Sequence, residues 1–135
     1  MTIGISKIRG IKAPHVTAIK AQRITNSQAL VEAAKTPKAR KALAAATGIA
    51  ESTVLELANR ADLARVLGIG EVFSNLLEEA GVDTVKELSK RKPDNLHAKL
   101  AEVNVKGKHA KRAPTLVECT DWVEQAKALP KLLTY

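Results

Sequence analysis

Cationic side chains near the start of the 135-residue chain are the residues whose types and spacing point most directly to chemistry. No acid precedes Glu32, and lysines and arginines lie on both sides of a Gly-Ile pair at positions 10–11. Such side chains neutralise phosphate oxygens, which is the sequence-independent part of nucleic-acid binding. We therefore predict a phosphate-contacting surface here. Its residues are Lys7, Arg9, Gly10, Ile11, Lys12, Lys20 and Arg23.

A second stretch, Gly68-Ile69-Gly70, could bind an anion through its backbone. Two glycines around one apolar residue allow a sharp reversal, so we expect both to be structurally required. The amides that follow open a predicted helix, where unpaired N–H groups and the helix dipole favour an anion. Glu71 competes for those amides. The charges therefore favour the first Gly-Ile pair over the second as the phosphate contact.

A basic segment near residue 110 is a third candidate contact surface. Clustered lysines and arginines bind polyanions, but they are also typical of a solvated loop, and the residues leave both interpretations open. Its members are Lys106, Lys108, Lys111 and Arg112, together with His109.

The sequence patterns offer no support for catalysis. His15, His97 and His109 are far apart and lack metal-ligand spacing. Asp83 is interpreted as a helix cap, and Cys119 as a small buried side chain. We therefore predict that the protein is not an enzyme, with no catalytic residue, metal, cofactor or small-molecule substrate.

The composition is that of an ordinary globular chain. Apolar residues make up 45% and charged residues 27%, and three aromatic residues are too few for a base-stacking platform. No apolar run approaches the roughly 18 residues of a membrane span. One cysteine fits a reducing compartment. We predict a cytoplasmic protein with no membrane partner.

The local pattern is helical throughout, with eight or nine short helices. Thr36 before Pro37 predicts a helix start, Gly48 a helix end, and Asp83 or Thr84 a further cap. Thr115 with glutamate three residues later predicts a capping box. The last long helix has an apolar stripe that we expect to face the core, with Trp122 beside it as an anchor. The stripe consists of Leu116, Cys119, Val123 and Ala126.

The chain resembles itself at an offset of 58 residues. Gly10-Ile11 recurs as Gly68-Ile69, and Ile24 and Leu30 recur as Val82 and Leu88. Self-similarity at a fixed offset indicates a duplicated structural unit. Beyond Leu30 the match needs a gap, because the second copy contains the additional segment 106–112.

Residues 67–82 resemble the helix-hairpin-helix motif: Gly-hydrophobic-Gly, a small residue four positions on, a leucine seven on, then Gly-hydrophobic. Ser74 and Leu77 fill the small and leucine positions, and Gly81 precedes the final apolar residue. The first copy is degenerate because Lys12 and Arg23 replace glycines. The resemblance implies a loop that grips a nucleic-acid phosphate without reading bases.

The whole chain resembles an uncharacterised bacterial family of tandem helix-hairpin-helix proteins. The resemblance covers nearly all 135 residues and implies a fold but no settled activity. We therefore predict an all-α fold class, with two tandem helix-hairpin-helix repeats packed into one compact helical domain. Residues 1–66 form the degenerate, basic repeat, and residues 67–135 form the repeat with the intact hairpin and the C-terminal helix.

The charge distribution leaves two functions open. Residues 1–66 carry 11 basic and 4 acidic side chains, whereas residues 67–135 carry 11 and 10. A basic half of this kind binds a polyanion. We favour sequence-independent nucleic-acid binding through the N-terminal half. The alternative is a protein–protein interaction module, or an accessory subunit of a larger assembly, that docks an acidic protein partner.

Overall fold

A computed structural model describes residues 2–108 and 110–135. The predicted all-helical fold is confirmed: the described residues form eight α-helices and a 3-10 turn at Ile5–Lys7, with no strand among them. None of these helices combines the length and apolar character needed to cross a membrane. The helices are α1 (Ala13–Ala21), α2 (Ser27–Ala33), α3 (Pro37–Thr47), α4 (Glu51–Leu63), α5 (Glu71–Glu79), α6 (Val85–Ser89), α7 (Pro93–Gly107) and α8 (Leu116–Ala128).

Most predicted helix boundaries are confirmed, because capping is a local interaction. The Thr36 side chain accepts from the amide of Ala39, and Gly48 ends α3 in the left-handed conformation. Thr115 and Glu118 form the predicted capping box of α8. Between the two candidates for the α6 cap, Thr84 takes the position. The interpretation of Asp83 as the cap is therefore wrong.

The same backbone turn occurs twice. In the first turn (residues 8–12) the Ile11 amide donates to the Ile8 carbonyl at 3.2 Å, and in the second turn (residues 66–70) Ile69 donates to Val66 at 3.2 Å. Gly10 and Gly68 have φ values of +78° and +96°. The 58-residue offset therefore relates the backbone conformations as well as the residue types.

The correspondence continues into the long helices. Positions 54, 57, 58 and 61 of α4 are buried, and so are positions 119, 122, 123 and 126 of α8, at an offset of 65. The increase from 58 to 65 equals the length of the segment 106–112. The predicted burial of Cys119 and Trp122 is confirmed at 0% and 1% exposure. Leu116 was predicted to join that stripe but is 43% exposed, because as the first residue of α8 it precedes the part of the helix that faces the core.

The buried residues form two hydrophobic clusters. One draws on the first part of the chain, from Ile5 to Ala61, and the other on residues from Leu63 to Ala126. α2 packs against α4 in the first cluster, as α6 packs against α8 in the second. The C-terminal tail (residues 130–135) returns to the first cluster, where Leu133 is 2% exposed. The Thr134 amide donates to the Lys35 carbonyl at 2.8 Å, which fixes the tail in place.

Candidate nucleic-acid interface

The cations of the first half divide into those that hold the fold and those that face solvent. Arg40 is 5% exposed and donates to the carbonyls of Ala34 and Thr134, at 2.8 and 2.7 Å. Arg65 donates to Asp62 and to the Pro130 carbonyl. These arginines satisfy backbone carbonyls at the C-terminal tail. They are therefore structural, although they contribute to the basic count of the sequence.

Arg60 joins the two halves at the first turn. Its guanidinium makes two hydrogen bonds of 2.8 Å to Glu78 on α5 and an ion pair of 2.8 Å with Glu56 on α4. It also donates to the carbonyl of Arg9. The Arg60 side chain is only 12% exposed. It therefore stabilises the first turn and holds that turn against α5.

The second turn is closed by a matching contact without charge. Gln125 on α8 accepts from the Leu67 amide at 2.8 Å and donates to the Leu67 carbonyl at 3.1 Å. Leu67 corresponds to Arg9 at the offset of 58, and Gln125 corresponds to Arg60 at the offset of 65. Each turn is thus bound by a side chain at the equivalent position of a helix, α4 for the first turn and α8 for the second.

Four of the predicted contact residues are exposed cations, which we call the α1 cations: Lys7, Lys12, Lys20 and Arg23. None of them forms an ion pair with another described residue. Lys7 and Lys12 precede α1, Lys20 lies in its last turn and Arg23 follows it. The helix is about 13 Å long and contains no acid. The α1 cations therefore form an exposed basic surface around one short helix.

The remaining predicted contact residues of the first turn have other environments. The Arg9 guanidinium is 42% exposed and lies 4.0 Å from the carboxylate of Glu71, so its charge is partly compensated. Gly10 is exposed but packs against Arg60, where a Cβ atom would collide with the guanidinium. Ile11 is half-buried against the first cluster. Gly10 and Ile11 therefore shape the turn.

The acids of α5 lie beside the first turn. Glu71 approaches Arg9 and Glu78 binds Arg60, whereas Glu79 is exposed. The two turns are therefore neighbours in the fold, although 58 residues separate them. Glu71, the acid expected to compete with a phosphate at the second turn, also partly compensates Arg9 of the first turn. Because Glu71 partly compensates Arg9, the uncompensated positive charge of this region lies on the α1 cations.

The expectation that both glycines of the second turn are required is half right. Gly68 has a φ of +96°, and a Cβ there would lie 2.9 Å from Nε1 of Trp122. Ile69 is fully buried between the two glycines. Gly70 has a φ of −97° and open space around its missing side chain. Only Gly68 needs to be glycine, since Gly70 has an extended backbone open to other residues.

Two of the four cations in the basic segment near residue 110 form internal ion pairs. Lys106 lies 3.1 Å from Glu102, and Arg112 lies 2.6 Å from Glu118 and stacks 5.5 Å from the Phe73 ring centre. The Arg112 hydrogen bond, with the Thr115 amide, lowers the pKa of Glu118 to about 2. Lys108 and Lys111 remain exposed without ion pairs to described residues, and His109 lies outside those residues.

The structure places the groups considered for catalysis, apart from His109, which lies outside the described residues. Within the described ranges, no three histidine, cysteine or acidic side chains converge on a point that could hold a metal. Burial raises the pKa of the Cys119 thiol to about 11, so the thiol is protonated at neutral pH. A protonated, inaccessible thiol is a poor nucleophile.

A second basic cluster escaped the sequence analysis. Lys86 on α6, Lys127 at the end of α8 and Lys131 in the C-terminal tail line one cavity. Lys86 is more than 40 positions from the other two, and no local motif joins them. The excess of cations over acids is the only sequence signal that includes these residues.

Comparison with known proteins gives one match. A family model described as a domain of unknown function (DUF4332) matches residues 9–129. No curated protein matches the chain. No solved structure matches it either.

Proposed function

We propose that this chain, which belongs to the DUF4332 family, is a non-catalytic module that binds the phosphate backbone of duplex nucleic acid through the α1 cations. The observation that supports the proposal is the exposure of all four α1 cations without a carboxylate partner among the described residues. Cations already paired within a protein release fewer counterions from DNA on binding than free ones do. The free charge therefore matters more than the net charge of +8.

The arrangement suits phosphates better than bases. The α1 cations lie at the two ends of a short helix, so they can reach phosphates on either side of a groove about 12 Å wide. The residues between them are mostly small or apolar, from Ala13 to Ala21. Such a surface positions a duplex without reading its sequence. We interpret the two turns as a tandem helix-hairpin-helix arrangement in which the first copy uses side-chain charge and the second supports it.

An acidic protein partner is the second candidate. The apolar side chains of Leu116 and Val117 are neighbours at the start of α8, and they are 43% and 78% exposed. Exposed apolar side chains of this size are found at protein interfaces. In that case the α1 cations would orient the partner, while contacts in the second half would contribute affinity.

The deciding experiment is titration of a labelled random-sequence duplex by fluorescence anisotropy at a series of salt concentrations. We expect the triple variant Lys7→Ala, Lys12→Ala, Lys20→Ala to weaken binding and to reduce the salt slope by about 2.7, at about 0.9 per phosphate contact. Glu71→Ala should leave binding unchanged or slightly stronger, since it frees Arg9.

A matched control removes the same charge elsewhere. Lys90, Lys92 and Lys99 are exposed and form no ion pair with a described residue, so their triple alanine variant lowers the net charge equally. Equal loss of duplex affinity in both triple variants would show that α1 has no special role. Wild-type protein that fails to bind duplex at low salt would leave the acidic protein partner as the better account.

A further inference from the structure

A cavity of about 320 Å³ lies where the two halves and the C-terminal tail meet. Its walls come from the end of α4, from α6, from the end of α8 and from the tail. Pockets that hold small molecules begin at about 300 Å³ and favour junctions between structural units. The volume fits a ligand the size of one substituted ring.

The charged groups of the cavity are predominantly cations. Lys86, Lys127 and Lys131 line it, each is exposed, and none forms an ion pair with a described residue. They come from three different elements, so the fold gathers them at one place. The hydroxyl of Ser89 donates to the Lys86 carbonyl and the hydroxyl of Thr84 caps α6. The Ser89 hydroxyl therefore already donates its proton, whereas the Thr84 oxygen accepts from the Glu87 amide. The lysines are the charged groups that recognise an anion here.

The one acid in the lining is compensated. Asp62 is 4% exposed, accepts a hydrogen bond of 2.8 Å from Arg65, and lies 3.4 Å from the amide of Val85. A buried carboxylate with a guanidinium partner repels a nearby anion far less than a free one does. Asp62 therefore supports the wall of the cavity without reversing its positive character.

The rest of the lining is apolar. Val85, Ala126 and Leu133 are nearly fully buried, and the Tyr135 ring contributes a further face. The Tyr135 hydroxyl donates to Asn59 at 2.8 Å. Burial raises the pKa of this hydroxyl to about 12, so it stays protonated and bound to Asn59 at neutral pH. The surface that remains for a ligand is an apolar floor beneath ammonium groups.

We propose that this cavity binds a small amphipathic anion, a carboxylate or phosphate monoester attached to an apolar body of about one ring. The apolar body lies against Val85 and Leu133, and the anionic group lies among Lys86, Lys127 and Lys131. The proposal is independent of the nucleic-acid surface, since the α1 cations do not line this cavity. It also adds a small-molecule ligand that the sequence analysis did not expect.

The test is a titration with phenyl phosphate followed by amide chemical shifts. We expect saturable shifts at Val85, Lys86, Leu132 and Leu133, with inorganic phosphate and benzyl alcohol each binding more weakly. The double variant Lys127→Ala, Lys131→Ala should keep the wild-type spectrum elsewhere and raise the dissociation constant for phenyl phosphate about tenfold, as expected from losing two ion pairs.

The control is Lys12→Ala, Lys20→Ala, which removes equal charge outside the cavity and should leave phenyl phosphate binding unchanged. Scattered shifts that never saturate would overturn the proposal. Equal affinity for inorganic phosphate would overturn it too, since the apolar floor would then play no part. If the Lys127/Lys131 variant lost duplex binding but kept phenyl phosphate binding, these lysines would belong to the nucleic-acid surface.

Discussion

Helices α1 and α5 have the same length and follow the same turn, yet they carry opposite charges. Each has nine residues, and each is followed two positions later by a residue with positive φ, Arg23 or Gly81. α1 contains no acid, whereas α5 contains Glu71, Glu78 and Glu79. Two of the α5 carboxylates approach arginines of the first half. A shared backbone thus permits α1 to carry no acid, while the carboxylates of α5 contact the first half of the chain.

The side chains that bind the two turns also differ in charge. Arg60 binds the first turn and also two carboxylates, whereas the neutral Gln125 binds the second turn and Asp121. A neutral amide is therefore sufficient to close this turn. The guanidinium adds a connection between the halves that an amide cannot make, because only a cation pairs with Glu56 and Glu78 together.

The largest effect is expected at Arg60. Arg60→Gln copies the second-half contact into the first half and leaves Glu78 without its cation. Breaking a largely buried pair costs about 3–5 kcal/mol; we expect about 2–3 kcal/mol because the carboxylates are partly exposed. Chemical denaturation measures the change. No loss of stability in Arg60→Gln would show that the link between the halves contributes nothing, because this variant retains an amide that can close the turn.

The glycines of the second turn should differ sharply from each other. Gly68→Ala places a side chain at positive φ against Trp122 and should lower the free energy of unfolding by about 1–2 kcal/mol. Gly70→Ala should lower it by only about 0.5 kcal/mol, because Gly70 has a negative φ but is the N-cap of α5, where alanine is less favourable than glycine. The pair is compared by melting temperature. Equal losses would contradict the assigned turn geometry.

Replacing Arg23 by glycine, the residue at the equivalent position 81, separates the effect of its charge on binding from the effect of its backbone strain on stability. Arg23 has a φ of +64°, a conformation that glycine adopts without strain. Arg23→Gly should stabilise the fold by about 0.5–1 kcal/mol while reducing the salt slope of duplex binding by about 0.9. Thermal melting and the salt titration, run on the same sample, separate the two effects. A destabilised variant would mean that the Arg23 side chain has a structural role.

The smallest effect concerns the starts of α4 and α8, which have 13 residues each. α4 begins after Ala50 with no side-chain cap, whereas Glu118 completes the capping box of α8. The pKa of Glu118 is lowered to about 2, so its contribution is present above its ordinary pKa near 4.5 and is lost as the pH falls toward 2. Wild-type protein should therefore lose melting temperature faster than Glu118→Gln over this range. Parallel curves would show that the carboxylate charge does not stabilise α8.

Local features were predictable because neighbouring residues determine them. Thr36, Gly48 and Thr115 cap helices through atoms within four positions in the chain, so their types alone place the boundaries. The 3–4 spacing of apolar residues likewise predicted the burial of Cys119 and Val123. The prediction that Leu116 is buried was wrong, because the periodicity of apolar residues does not show how far along a helix the core extends.

The sequence by itself determined an all-helical chain, its turns, most of its caps and an excess of cations near one end. Tertiary structure alone decided which of those cations are free. Arg9 and Glu71 are 62 positions apart in the sequence, and Lys86 and Lys131 are also distant in the sequence. In the fold, Arg9 approaches Glu71, and the two lysines line the same cavity. Charge acts through distance in space, and folding brings together residues that their sequence separation does not relate. The pairing of charges, the neighbouring turns and the cavity beside the C-terminal tail are therefore properties of the folded chain.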